Sequence, residues 1–260
     1  MSFLFFLISL FSSTIGAISG IGGGVIIKPV LDATGTLGVS TISWLSGCTV
    51  FSMAIVSLIK GRGSGVQLKM RTSTPLAVGA AIGGVAGKGI FDLVRARFGS
   101  ENLLGATQAI LLLLITVGVF FYIRFKGRLS TRRVESLSAC FIIGLLLGLL
   151  SAFLGIGGGP INIAVLSYFF SMDSKEAARN SLYIILFSQA TSFFSTLLKA
   201  NVPPFDPLML ALMIAGGVIG GTAGSVISKR ISARRVDTVF SALLFIIIGV
   251  NIYNIVRFLA

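Results

Sequence analysis

The sequence contains no histidine among its 260 residues, so the side chain that most often ligates zinc and carries protons near neutral pH is missing. Its two cysteines, Cys48 and Cys140, lie in apolar surroundings and form no CxxC pair. Neither a disulfide framework nor a metal site is predicted from them, and both are interpreted as packing residues. No cofactor is expected.

Acidic residues are also scarce, because 8 Asp and Glu stand against 21 Lys and Arg, which gives a net charge of +13. All eight acids, Asp32 among them, are predicted to lie in loops or near the ends of membrane spans, and none is expected to be buried at mid-membrane. A carboxylate proton relay, as found in many pumps, is therefore not visible. Most basic residues lie in short loops beside apolar segments, where membrane topology requires them, so a nucleic-acid partner is not expected.

The chain is rich in apolar residues instead. Hydrophobic residues make up 55% of it and charged residues only 11%, and the mean hydropathy is +0.99. Soluble domains carry about 25% charged residues, so the composition predicts an all-α polytopic membrane protein embedded in a lipid bilayer. Six apolar segments have about the length that crosses a ~30 Å hydrocarbon core. They are 39–59, 75–94, 103–123, 177–198, 207–227 and 236–256.

A glycine motif occurs twice, as "GIGGGVIIKPV" from Gly20 and as "GIGGGPINIAV" from Gly155. A similar shift superposes "IGGVAGKGI" from Ile82 on "IGGTAGSVI" from Ile219. The chain is therefore interpreted as two repeats, residues 1–128 and 129–260. Each repeat is predicted to contain a glycine-broken helical hairpin, residues 2–31 or 137–171, followed by three spans.

Loop charges predict the orientation of the repeats. Three loops are strongly basic, 60–71, 124–133 and 229–235, and all three are expected to face the cytoplasm. Two full spans and the second hairpin lie between the last two of these loops. Because both loops face the same side, the hairpin must return to the side of the membrane on which it began. The two halves are then inverted in the cell inner membrane, and both chain ends face the periplasm. Residues 160–171 cover only ~18 Å as a helix, so either a re-entrant hairpin or a tilted pair of uneven arms fits.

The glycine runs predict irregular backbone at membrane depth, which is tolerated only inside protein or beside a wet cavity. Helices that begin after the glycines would direct free N–H groups and partial positive charge into the protein centre, where an anion binds readily. Lys28 would add a full charge. The alternative is that the glycines only allow close helix packing and that Lys28 extends to the membrane surface. The candidate backbone contacts are Gly22, Gly23, Gly24, Gly157, Gly158 and Gly159.

Several polar side chains are further candidates for oxyanion contact. Asn162 follows the second glycine run, and Ser46 superposes on Ser181. Serines also bond their own helix carbonyls, so a structural role is equally open for these two. Arg179 is interpreted as a topology signal or a ligand, and Lys88 and Asp92 as a structural ion pair four residues apart. The remaining substrate-binding candidates are Asn180 and Gln189.

Three features together resemble the sulfite exporter TauE/SafE family over essentially the whole chain. They are the duplicated "GIGGG" followed by Val or Pro, the "EAARNSL" stretch from Glu176, and the paired "IGGxAG" segments. The resemblance implies a membrane transporter associated with small sulfur-containing anions such as sulfite and sulfonates. The two halves differ at one candidate site position, because Lys28 superposes on Ile163.

The predicted function is therefore transport, with export favoured, of a small sulfur-containing oxyanion by alternating access around two glycine-broken hairpins. An enzyme is not expected, because histidine, paired metal ligands and a buried acid pair are absent from the pattern. An integral-membrane enzyme and a membrane assembly factor without transport activity remain the alternatives. With the cell interior negative, anion export needs no co-ion, and ion coupling is left open.

Overall fold

The computed structural model describes residues 1–62, 66 and 68–260. The described residues form ten α-helices with no strand, and eight of the helices are long and apolar enough to cross a membrane. The bounds are α1 Ser2–Ser19, α2 Gly24–Thr34, α3 Val39–Lys60, α4 Met70–Phe98, α5 Glu101–Phe125, α6 Leu137–Leu154, α7 Pro160–Phe170, α8 Ser174–Leu198, α9 Pro207–Arg230 and α10 Ala233–Leu259, with a 3-10 turn at Lys126–Arg128.

Each glycine run separates a longer helix from a shorter one, and these two helices are the arms of a hairpin. Helix α1 ends at Gly20 and α6 ends at Gly155, and both glycines adopt the left-handed conformation that stops a helix. The second arms, α2 and α7, have 11 residues each. They reach about 16 Å, roughly half of a hydrocarbon core. The first arms have 18 residues, so each hairpin joins one arm of near-spanning length to one that is too short.

The long arm of each hairpin packs against the other half of the chain. Helix α1 lies along α9, and α6 lies along α4. Glycines spaced three or four residues apart form the contact, because a Cβ at any of them would overlap the backbone or side chains of the facing helix. These glycines are Gly79, Gly83 and Gly87 on α4 and Gly216, Gly220 and Gly224 on α9. Close helix packing therefore accounts for the paired "IGGxAG" segments.

The three basic loops gather at one end of the bundle. Lys69 forms an ion pair with Glu176 at the start of α8, with 2.9 Å between Nζ and Oε2. Lys126 pairs with Asp237 at the start of α10 at 2.8 Å, and the same carboxylate accepts a hydrogen bond from Ser174. The Nζ of Lys229 donates to the backbone carbonyl of Arg62 at 3.1 Å. We refer to this end as the basic end.

Helices that superpose in the sequence run in opposite directions relative to this end. Helix α4 begins there, whereas its equivalent α9 finishes there. In the same way α3 ends and α8 begins there. The opposite end holds the Arg95–Glu101 ion pair and a hydrogen bond from Thr41 to the carbonyl of Pro204.

Candidate functional site

The two hairpin tips, Gly20–Gly24 and Gly155–Gly159, meet inside the bundle. A Cβ at Gly24 would overlap the backbone carbonyl of Ile156, so only glycine allows the tips to approach this closely. All residues of the first tip are buried, as are residues 156–159 of the second. The tips therefore pack against each other directly.

Two fully buried side chains hold the tips from opposite sides. Val50 on α3 lies against Gly157, where an added Cβ would stand 2.6 Å from its Cγ1. Ile185 on α8 lies against Gly158, with the corresponding distance 2.5 Å to its Cγ1. Val50 and Ile185 occupy equivalent positions of the two repeats. We call the two tips together with these two side chains the septum.

The short arms α2 and α7 both begin at the septum, and neither start carries a side-chain cap. Gly157, Gly158 and Gly159 have φ of 75°, 132° and 118°, a region that side chains other than glycine rarely adopt. Pro160 then occupies the first turn of α7, where its missing N–H costs no hydrogen bond. The N-terminal ends of two helices are thus directed at the centre of the protein.

A narrow cleft with a cavity volume of about 40 Å³ lies on the side of the septum away from the basic end, and we call it the distal cleft. It is formed by the first half of α3, the last third of α8 and the middle of α4, around the second tip. The lining residues used below are Ser43, Lys88, Ala152, Gly155, Gln189 and Ser192.

A second cleft, with a cavity volume of about 50 Å³, lies between the septum and the basic end, and we call it the basic cleft. It is formed by the last turns of α3, the first turns of α8 and the last third of α9. The lining residues used below are Ala17, Ser57, Lys175, Ala178, Arg179, Ser225 and Lys229.

The duplication relates the two clefts to each other. Ala152, Ser192 and Lys88 in the distal cleft occupy the same repeat positions as Ala17, Ser57 and Ser225 in the basic cleft. Ser43 corresponds in the same way to Ala178. The two clefts, which lie on either side of the septum, are therefore lined at four positions by residues that superpose in the sequence.

Charge distinguishes the clefts. Lys88 in the distal cleft lies over the ring of Phe91, 4.2 Å from its centroid, and pairs with Asp92 at 3.4 Å, as the sequence predicted. The basic cleft brings together Lys175, Arg179 and Lys229. The guanidinium of Arg179 donates to the carbonyl of Val66 in the loop that follows α3. The basic cleft thus brings three cationic side chains together.

Lys28 lies in α2, one turn beyond the first tip, and is buried together with Asp32. Their charged atoms are 2.6 Å apart, and the two side chains are 3% and 5% exposed. Asp32 lies two residues before the end of α2 and is nevertheless buried in the protein, because α2 continues past Pro29 to Thr34 and places residues 28 and 32 on one face. The positive charge that the sequence assigned to an anion site already has a carboxylate partner.

Most of the other predicted side chains lie near the septum. Ser46 and Ser181 are fully buried and stand one helical turn before Val50 and Ile185, on the same faces. Their hydroxyls have no hydrogen-bond partner among the described residues. Asn162 is 1% exposed, and its Nδ2 is 3.1 Å from a Cβ added to Gly158. Gln189 lines the distal cleft next to Gly157 and Gly47.

Asn180 is the predicted residue that the structure does not bring to the septum. Its Oδ1 accepts hydrogen bonds from the hydroxyl of Ser73 and the backbone N–H of Lys69, and its Nδ2 donates to the carbonyl of Glu176. The hydrogen bonds from Ser73 and Lys69 connect α8 to the start of α4 at the basic end.

The sequence analysis missed the residues that close the septum and those that surround the clefts. Val50 and Ile185 could have been found from the duplication, since the shift that superposes the glycine runs also superposes them. Ser43 carries no obvious sequence signal, although its hydroxyl lines the distal cleft and has no partner among the described residues.

The polar groups around the septum suit an oxyanion. They are hydroxyls, carboxamides and the N–H groups at two helix starts, all of which donate hydrogen bonds. Among the residues that the structure describes, no group of three or more Cys, Asp or Glu side chains is placed to hold a metal ion.

Comparison with known proteins gives two matches. The sulfite exporter TauE/SafE family matches residues 5–252. A relative in Bacillus subtilis strain 168, named probable membrane transporter protein YunE, is 22% identical over 275 aligned residues, which cover 95% of this chain and 96% of the relative. No solved structure matches the chain. Since the family match spans both glycine motifs and almost every helix, the chain belongs to the sulfite exporter TauE/SafE family.

Proposed function

We propose that this protein transports a small sulfur-containing oxyanion, such as sulfite or an organosulfonate, across the cell inner membrane by alternating access. The observation that carries the proposal is the pair of equivalent clefts on opposite sides of the closed septum. An anion bound at the tips reaches the basic cleft when the septum opens on that side. It reaches the distal cleft when the septum opens on the other side.

An inverted arrangement of the two repeats makes such an exchange possible, because each half then adopts in turn the conformation of the other. The opposite directions of α4 and α9 relative to the basic end support the inversion. The packing supports it too, because the long arm of each hairpin lies on a helix of the other half, α1 on α9 and α6 on α4.

The family description and the relative named a probable membrane transporter support transport as the activity. The donor groups around the septum and the cations of the basic cleft support an anion as the substrate. A sulfonate or sulfite oxygen accepts hydrogen bonds from hydroxyls, amides and backbone N–H groups alike. Substrate contacts are proposed for the three glycines of each tip, with Lys28, Ser46, Asn162, Ser181 and Gln189.

Export is the proposed direction. The basic end is assigned to the cytoplasm by the positive-inside rule, and its cleft concentrates anions next to the septum. For an anion that crosses without a co-ion, a membrane potential that is negative inside favours outward movement by about 2.3 kcal/mol per 100 mV for each negative charge.

Flux measured with purified protein in liposomes tests the function. Sulfite, sulfate, thiosulfate, taurine and sulfoacetate are loaded inside in turn, and their release is compared with that from liposomes without protein. Release of at least one anion without chemical change is the expected result. A chemically altered anion would favour a membrane enzyme, and no flux of any of the five would contradict the proposal.

The proposed topology predicts which end of the bundle is accessible from the periplasm. In a variant without Cys48 and Cys140, we place one cysteine at Asn201 or, as the matched case, at Arg62. Both positions are exposed, at opposite ends of the bundle. A membrane-impermeant maleimide added outside should label residue 201 and leave residue 62 unlabelled until the membrane is opened. The sequence alone also indicates Gly63 as a position for a cysteine that should stay unlabelled from outside, but Gly63 lies outside the described residues.

The reversed labelling pattern would contradict the topology. A reporter that is active only in the cytoplasm gives an independent readout when fused after Ala260, and it is expected to be inactive there. Activity of this fusion would place the C-terminus in the cytoplasm.

A further inference from the structure

A polar cavity of about 160 Å³ lies at the end of the bundle away from the basic end, between α2, α5 and α10. Its lining includes Asp32, Gly38, Glu101, Asn102 and Arg257. The distal cleft is a separate cavity with none of these residues in its lining. The polar cavity therefore connects Asp32 to this end of the protein, and it is separate from the distal cleft.

The charged groups that face Asp32 come from three helices. Lys28 on its own helix pairs with its Oδ2 at 2.6 Å. Arg257 on α10 donates to the backbone carbonyl of Asp32 and thus lies beside it. Glu101 on α5 lines the same cavity and is itself paired with Arg95 at 3.5 Å. The second carboxylate oxygen of Asp32, Oδ1, is buried and has no hydrogen-bond partner among the described residues.

Lys28 lies between this carboxylate and the distal cleft. Its Cε is 3.4 Å from the position that a Cβ on Gly155 would occupy, and the hydroxyl of Ser43 is 2.7 Å from the same position. Gly155 and Ser43 both line the distal cleft. Because the lysine stem has four rotatable carbons, rotation about its last bonds moves the ammonium from Asp32 toward the cleft.

We propose that Asp32 is a proton-binding site that couples anion transport to proton transport, an inference that rests on the proposed function. When an anion enters the distal cleft, the ammonium of Lys28 leaves Asp32 and pairs with the anion. The carboxylate of Asp32 then takes one proton from water in the polar cavity and becomes a neutral carboxylic acid. When the anion leaves toward the basic cleft, Lys28 returns to Asp32 and the carboxyl group releases its proton on that same side of the membrane.

The physical reason is the position of the carboxylate. A buried carboxylate that loses the ammonium paired with it is destabilised, whereas a neutral carboxyl group in the same place is not. Proton uptake therefore accompanies the movement of Lys28. One proton is bound for each anion, so the transport of a monoanion is electrically neutral and its direction follows the combined gradients of anion and proton.

The test uses proteoliposomes with the best substrate from the flux measurements, and potassium with valinomycin holds the membrane potential at zero. With the lumen one pH unit more alkaline than the outside, the wild type is expected to accumulate a monoanion in the lumen by about tenfold, which is 1.4 kcal/mol. Asp32→Asn mimics the protonated carboxyl group. It is expected to exchange labelled for unlabelled anion but to show no accumulation driven by pH.

Glu135→Gln is the matched control, because Glu135 is exposed in the loop before α6 and its loss removes one carboxylate without touching the site. This variant should accumulate anion as the wild type does. Accumulation by Asp32→Asn equal to that of the wild type would overturn the proposal. A wild type that exchanges the anion but shows no accumulation driven by the pH gradient would overturn it as well. Absence of any anion exchange in the wild type would instead overturn the proposed function.

A second measurement needs no variant and applies if Asp32→Asn fails to fold. Wild-type protein in weakly buffered detergent solution is titrated with the same anion while the pH is recorded. Uptake of about one proton per bound anion is expected. Anion binding without proton uptake would contradict the coupling.

Discussion

Lys28→Met should destabilise the folded protein by about 3–5 kcal/mol, because it leaves the Asp32 carboxylate buried without its partner. The pair is almost completely buried, so without Lys28 the carboxylate must either stay ionised with no ammonium beside it or take up a proton, and at neutral pH both cost folding free energy. The double variant Lys28→Met/Asp32→Leu removes both charges and should recover most of the stability, since apolar side chains of similar volume replace buried ion pairs at little cost. Thermal unfolding in detergent measures both effects.

Lys88→Met provides the matched control. Lys88 also pairs with an aspartate four residues later, but the two side chains are 17% and 22% exposed and their charged atoms are 3.4 Å apart. We expect a markedly smaller loss of stability than for Lys28→Met. Equal losses in the two variants, or a double variant no more stable than Lys28→Met, would contradict the assignment of Lys28 and Asp32 as a tightly coupled buried pair. The double variant is expected to fold and to carry no anion.

Gly158→Val is expected to abolish transport. Gly158 has a φ of 132°, which a β-branched residue adopts only under strain of about 1–3 kcal/mol. Its Cβ would also stand 2.5 Å from Cγ1 of Ile185, inside contact distance. The septum then cannot keep its tip geometry, and the start of α7 moves away from the opposite tip. Anion flux in liposomes and thermal stability are measured on the same preparation.

Gly89→Val separates this effect from a general intolerance of larger residues. A Cβ at Gly89 would meet no atom within 4 Å, since the residue faces outward from α4. This variant should transport at nearly the wild-type rate. Normal flux in Gly158→Val would show that the tip geometry has no role in transport. If Gly158→Val is unfolded, Gly24→Ala, which adds one methyl group against the carbonyl of Ile156, provides the milder test.

The sequence predicted the parts of this protein that depend on local pattern. The long apolar segments predicted six of the eight membrane-length helices, because a bilayer requires an almost uninterrupted apolar run, and the other two, α1 and α6, are the first arms of the predicted hairpins. The glycine motifs predicted broken hairpins, since matched runs of four glycines have few other uses inside a membrane. The loop charges predicted that residues 60–71, 124–133 and 229–235 share one face, and contacts of Lys69, Lys126 and Lys229 bring these loops to one end of the bundle.

Long-range contacts could not be predicted in the same way. Lys28 was identified, but its pairing with Asp32 depends on how far α2 continues after Pro29, which the sequence does not fix. Asn180 was proposed as a ligand from its type alone, although a partner 107 residues away engages its side chain. The two clefts depend on which helices pack together, so their lining residues became visible only in the folded chain.

The exchange of long arms between the halves has a consequence for synthesis. Helix α1 emerges first, but the glycine face of α9 against which it packs begins about 190 residues later, a delay of about 10–40 s at 5–20 residues per second. Helix α6, in contrast, meets α4 already in the membrane. The first hairpin is therefore inserted well before the helix on which it packs has been synthesised. The second hairpin can pack on α4 as soon as it is inserted. Maturation of the two halves is sequential even though their architecture is the same.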